Sequence, residues 1–144
     1  MKKYISLVLK LVAAIIMLQT LIFKFTGAQE SIDLFTTIAG ENEAAMRIGT
    51  GIIELIASIL LFIPKKTWLG ALLAFGTMSG ALMSHITILG IEHNNDGGAL
   101  FMSAIITLLA SAALLTLSRK EIPIVGKKFL NRFLFCLCNH DFAN

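Results

Sequence analysis

The chain runs to 144 residues, 56% of them hydrophobic and 15% charged, with a mean hydropathy of +0.82. That composition excludes an ordinary water-soluble domain, and at this length, with no Pro-, Gly- or Ser-rich linker, a single folding unit is expected. The net charge of +3 invites a nucleic-acid reading, but in so apolar a chain the placement of basic residues matters more than their sum, and no nucleic-acid partner is expected.

A helix rises about 1.5 Å per residue and the hydrocarbon core of a bilayer is about 30 Å thick, so a spanning helix needs roughly 20 mostly apolar residues. The first such stretch runs from Ile5 to Phe23. Lys2 and Lys3, the apolar run and Thr26-Gly27-Ala28 imitate a cleavable signal peptide. Lys10, Gln19 and Lys24 interrupt that pattern, and cleavage would leave a helix count at odds with the basic residues downstream, so the segment is expected to stay as a span. The longest connection follows, and within it Ser31 to Ile38 is apolar enough to form a short helix at the membrane surface. The second stretch, Met46 to Ile63, is stopped by Pro64, which has no backbone N–H to donate; Pro64-Lys65-Lys66 then makes a tight basic turn. A third stretch extends from Trp68 to Gly90. Turn residues follow it, and Asp96 is placed to cap the fourth, Ala99 to Leu117. The runs lack the alternation of a membrane barrel, so the expected fold is all-α, a transmembrane four-helix bundle over residues 1–120.

Lys and Arg collect in cytoplasmic loops. Lys2 and Lys3, Lys65 and Lys66, and the set from Arg119 to Arg132 fall on one side, whereas Glu30, Asp33, Glu41, Glu43, Glu92 and Asp96 fall on the other. Both termini are therefore expected in the cytoplasm. Residues 121–144 mix Lys127, Lys128 and Arg132 with Phe129, Phe133 and Phe135, a composition suited to the inner headgroup boundary. Cys136 and Cys138 do not complete a zinc site with His140 and are expected as free thiols.

An ionisable residue deep in a bilayer is costly and usually has a partner or a task. Glu54 lies inside the second span, about 12 Å from its outer end, and Gln19 and His85 reach about 22 to 26 Å from the cytoplasmic end by the same rise. Arg47 precedes Glu54 by two turns and shares its face together with Gly51, while Lys24, Glu92, His93 and Asp96 close the outer end. A polar cavity centred on Glu54 is expected, with Lys24, Arg47, Gln19 and His85 as the other candidate ligand-binding residues. Burial favours the neutral acid and a neighbouring cation the carboxylate, and the residues leave both open. A plain helix-fastening role for Glu54 and an interhelical hydrogen bond for His85 are the competing readings. Lys10 is read as a snorkelling side chain, Met78 and Met83 as packing residues, and Gly76 with Gly80 as a G-x-x-x-G spacing that allows close backbone approach. No metal site is expected.

Phe23-Lys24-Phe25-Thr26-Gly27, Arg47-Ile48-Gly49-Thr50-Gly51-Ile52-Ile53-Glu54-Leu55 and the four-span layout resemble the DoxX family of small bacterial membrane proteins over about residues 5–120. The resemblance implies a four-helix bundle in a bacterial inner membrane. Some relatives are linked to quinone-dependent thiosulfate oxidation or to membrane oxidoreductase assemblies, and Lys24, Arg47 and Glu54 are the matching positions. The chain has no intramembrane cysteine pair, no haem-ligand pair at matched depth and no nucleotide-binding glycine loop, so independent redox chemistry is not expected. The leading expectation is an accessory subunit that holds a lipophilic ligand, a quinone, for a membrane oxidoreductase. A small proton-coupled transporter, which would need a homo-oligomer, and a purely structural or assembly protein are the alternatives.

Overall fold

The computed structural model describes residues 2–92 and 96–118, and every regular element in them is helical. Helix α1 is Lys2–Thr26, α2 is Gln29–Ala39, α3 is Glu43–Phe62, α4 is Thr67–Ser84 and α5 is Ala99–Leu117. A short 3-10 turn, Gly40–Asn42, joins α2 to α3, and α4 continues through a π-helical turn, His85–Leu89. Four segments are long and apolar enough to cross a membrane, in the places the apolar runs predict. The 121–144 tail, with Cys136 and Cys138, and His93 in the α4–α5 connection lie outside the described residues.

The long helices form a ring in chain order: α1 packs on α3, α3 on α4, α4 on α5, and α5 back on α1. Large apolar side chains face outward, Ile15, Ile59 and Leu109 all being more than half exposed. In water each would carry an unfavourable free energy, whereas lipid tails solvate them. The bundle axis is filled by alanines interleaved with Leu and Met: Ala13, Leu61, Ala71, Ala110 and Leu114 in one layer, Met17, Ala57, Ala74, Met78 and Ala104 in the next. Buried hydroxyls add no unpaired donors here, because Ser58, Thr107 and Ser111 each donate to a carbonyl one turn back in their own helix.

Each connection has a local cause. Ile63, just before Pro64, is extended at φ −76°, ψ 124°, as the proline ring requires, and Lys65 takes a left-handed φ of 65° to close the turn. Thr67 then accepts a hydrogen bond from Lys10 Nζ at 2.8 Å and donates to Leu61 O at 3.2 Å, fastening the turn to α1. Lys10 thus has a partner in the fold, on the turn that carries Lys65 and Lys66. At the other end, Asp96 accepts from the backbone N–H groups of Gly98 and Leu100 at 2.9 and 3.0 Å, the capping role expected of it.

A correction concerns the small residues of α4. A Cβ added at Gly76 or Gly80 would meet nothing within 4 Å, so the G-x-x-x-G pair brings no helix close. The close approach is at Gly70, where a Cβ would stand 2.6 Å from the Leu61 amide nitrogen and 2.8 Å from the Ala57 carbonyl oxygen. Helices α3 and α4 are therefore in backbone contact near the Pro64 turn. Toward the opposite end the helices leave a space, and α2 lies over it.

Candidate functional site

Lys24 stands in the last turn of α1 and Glu54 in the middle of α3, one helix away. Their side chains meet: Lys24 Nζ is 2.6 Å from both Glu54 Oε1 and Oε2, with the carboxylate almost fully buried and the ammonium nearly so. Thr20, one turn before Lys24 on the same face of α1, places its hydroxyl 3.5 Å from Glu54 Oε2. The ring of Phe35, the buried residue of α2, has its centroid 5.9 Å from Lys24 Nζ and closes the other side. The two are placed as an ion pair with little access to water, and removing one partner would strand the other.

Arg47 shares the buried face of α3 with Glu54, as the seven-residue spacing predicts, yet it does not pair with it. Its Nε donates to Glu43 Oε1, one turn back, at 2.6 Å, and its Nη1 donates to the main-chain carbonyl of Lys24. A guanidinium at the C-terminal end of α1 satisfies a carbonyl that has no intrahelical donor and opposes the negative end of the helix dipole. The helix is stopped by Gly27, at φ 66°, with the Ala28 N–H returning to Phe23 O, and Arg47 braces the backbone from which Lys24 reaches. Leu21 and Phe25 from α1 lie over Gly51, between Arg47 and Glu54, where an added Cβ would stand 3.4 and 3.5 Å from them, in ordinary contact.

The pair looks onto a cavity of about 610 Å³. Its walls are mostly apolar: Phe23 from α1, Leu34, Phe35 and Ile38 from α2, Met46 from α3, Met78 and Ala81 from α4, Leu89 from the π-helical turn, and Leu100 and Ala104 from α5. Polar groups are few and placed around this lining: Thr20, Lys24, Thr50 and Glu54, then Ser31 and Glu30 on α2, and Thr77, Ser84, Asp96 and Ser103 on the α4–α5 side. Several lining residues, Phe23 and Met46 among them, are also exposed on the outside of the bundle, so the cavity reaches the surface.

Gln19 and His85, the other two residues expected at the depth of Glu54, stand elsewhere; with Ala57, Ala74 and Met78 in one layer, Glu54 is level with the Thr77 turn of α4 and His85 lies two turns beyond it. Gln19 is on the exposed face of α1, and its neighbour Thr20 takes the inward position. His85 is buried, but its Nδ1 is 2.9 Å from Gly90 O and its ring packs edge-on against Phe101 at 5.7 Å, so it holds the π-helical turn and does not line the cavity. Gly90, at φ 80°, turns the chain away just there. Thr20 and Phe35 were not singled out by sequence. A signal for Thr20 exists in its i, i+4 relation to Lys24, and one for Phe35 in the amphipathic pattern of α2. Among the described residues no group of three or more acids, histidines or cysteines is placed to hold a metal ion.

A ring of four membrane-spanning helices, with an ion pair inside it facing an apolar cavity, defines a multi-pass membrane protein with an embedded polar site. The family model DoxX matches residues 5–87, more than half of the chain and a stretch that contains Lys24, Arg47 and Glu54, and the chain belongs to that family. No curated protein and no solved structure matches it. The α5 wall of the cavity, with Ser103 and Leu100, lies beyond the matched segment.

Proposed function

We propose that this chain is an accessory subunit of a membrane oxidoreductase system in a bacterial inner membrane, with both termini cytoplasmic, and that it holds a quinone-type ligand against Lys24 and Glu54. The observation that carries the reading is the Lys24–Glu54 ion pair set in the wall of a mostly apolar cavity of about 610 Å³. Binding sites for small organic ligands commonly have volumes of about 300–1,000 Å³, apolar walls and a few convergent polar groups. A ring bearing two oxygens has both kinds of partner here, and an isoprenoid tail can leave where the lining reaches the lipid-facing surface. Arg47 acts as a positioning residue, through the backbone of Lys24. Gln19 and His85, outside the lining, have no direct part.

The test is isolation of the tagged full chain from native membranes in mild detergent. Organic extraction is expected to release an isoprenoid quinone in stoichiometric amount, and a redox subunit is expected to co-purify. Recovery of the chain alone, with bulk phospholipid and no quinone, would defeat the proposal. Wild-type protein that carries quinone, and a Lys24→Met, Glu54→Leu protein that carries none, would locate the ligand in this cavity.

A further inference from the structure

We infer that the cavity prefers a ligand that donates hydrogen bonds, which for this chemistry is the hydroquinone and not the quinone. The inference rests on the ligand-binding reading above and goes on to choose the redox form.

A hydroxyl has one proton and two acceptor lone pairs. Five hydroxyls in the lining have that proton already committed within the protein. Thr20 donates to Met17 O at 2.9 Å, with Glu54 Oε2 as a second, longer acceptor at 3.5 Å, Thr50 donates to Met46 O at 2.9 Å, Ser103 to Leu100 O at 2.8 Å and Ser84 to Gly80 O at 3.1 Å. Thr77 sits 3.1 Å from the carbonyls of both Leu73 and Ala74. What these side chains turn to a ligand is therefore lone pairs. Glu54 adds two carboxylate oxygens, which as an ionised group accept only. Against this the donors are few. Lys24 spends N–H bonds on both oxygens of Glu54, leaving one of its three, and Ser31 on α2 supplies a hydroxyl proton.

A quinone carbonyl only accepts. To be satisfied here it must take one of those two donors or turn a hydroxyl away from its helix carbonyl, losing one hydrogen bond to gain another. A hydroquinone O–H finds an acceptor at each of the five hydroxyls and at Glu54 without disturbing a bond already made. In an apolar enclosure the mismatch matters, since a polar group that enters without a partner loses its hydration and gains nothing.

The full chain in phosphatidylcholine nanodiscs, titrated anaerobically with decylubiquinol, decylubiquinone and the dimethyl ether of the same hydroquinone, tests this. Empty discs supply the partition background. Saturable binding of the quinol about tenfold tighter than the quinone is expected, the worth of about one net hydrogen bond. The dimethyl ether, which keeps the ring and loses both donors, is expected to bind no better than the quinone. Ser103→Ala with Thr77→Val, which removes two acceptors while leaving the Lys24–Glu54 pair, is expected to weaken the quinol alone. Equal affinities, or tighter binding of the quinone, would overturn the donor preference while leaving a quinone-type site in place. Absence of saturable binding by any of the three would overturn the site itself along with the preference.

Discussion

Arg47 holds Lys24 by its backbone: the guanidinium donates to the main-chain carbonyl of Lys24, while the side chain of the same lysine turns to Glu54. Two cations thus stand near one acid without competing for it. Arg47 is satisfied by Glu43 and a helix end, and Glu54 is left to Lys24 and Thr20.

Removal of that clasp should be felt in stability before anything else. Arg47→Ala leaves the Lys24 carbonyl and the Glu43 carboxylate without their donor and is expected to cost about 2–3 kcal/mol, measured by unfolding in mixed micelles. Arg47→Lys is expected to recover little, because one ammonium cannot reproduce a fork that serves two partners. An Arg47→Ala protein as stable as wild type would show that the contact carries no weight.

The Lys24–Glu54 pair should behave as a unit. Either Lys24→Met or Glu54→Leu alone strands a buried charge and is expected to destabilise by about 3 kcal/mol, whereas the double substitution should lose much less. A double-mutant cycle with additive effects would mean that the two groups are not coupled.

Backbone packing of α3 against α4 makes a contrast among glycines. Gly70→Ala must push the helices apart and is expected to cost about 1–3 kcal/mol, while Gly76→Ala has open space and should leave stability unchanged or slightly raised. Equal effects at the two positions would contradict the packing described.

Gln19 and His85, which do not line the cavity, offer a further check. His85→Phe keeps a ring beside Phe101 and removes the bond to Gly90, for a loss of about 1 kcal/mol. Gln19→Leu, on the exposed face, should cost nothing measurable. Neither should alter affinity for the quinol probe, and a large drop in either would return that residue to the site.

Orientation is open to direct measurement. With Cys136 and Cys138 replaced by serine, a cysteine introduced at Glu41 is expected to react with an impermeant maleimide from outside intact cells, and one at Lys66 only after the cells are opened. The reverse pattern would invert the proposed topology.

What the amino-acid order revealed well was anything that depends on length along the chain. The spans, the stop at Pro64, the cap by Asp96 and the short helix before Glu43 all follow from local rules about apolar runs, missing N–H groups and turn residues. That Glu54 needs a partner was legible too, and it does meet a cation, but the depth reckoned for His85 was not, because the register of α4 on α3 sets it two turns beyond Glu54. Neither was azimuth. Gln19 and Thr20 lie at nearly the same height, but successive residues are about 100° apart around a helix, and only tertiary packing decides which of them turns inward. The same gap explains the glycines: a spacing of four marks a face, and whether another helix stands opposite that face is settled by the whole bundle. Arg47 and Glu54 do share a side of α3, yet the acid's partner comes across from α1, a distance no spacing within one helix encodes.

The zero-exposure layer formed by Ala13, Leu61, Ala71 and Leu114, tightened by the backbone contact at Gly70, gives the molecule a solid floor. A guest lodged beside Lys24 meets a dead end beneath it, so its way in and out lies on the side of the cavity away from that layer. One copy of the chain is accordingly shaped as a cup and not as a pipe, and a carrier role would demand that this floor come apart.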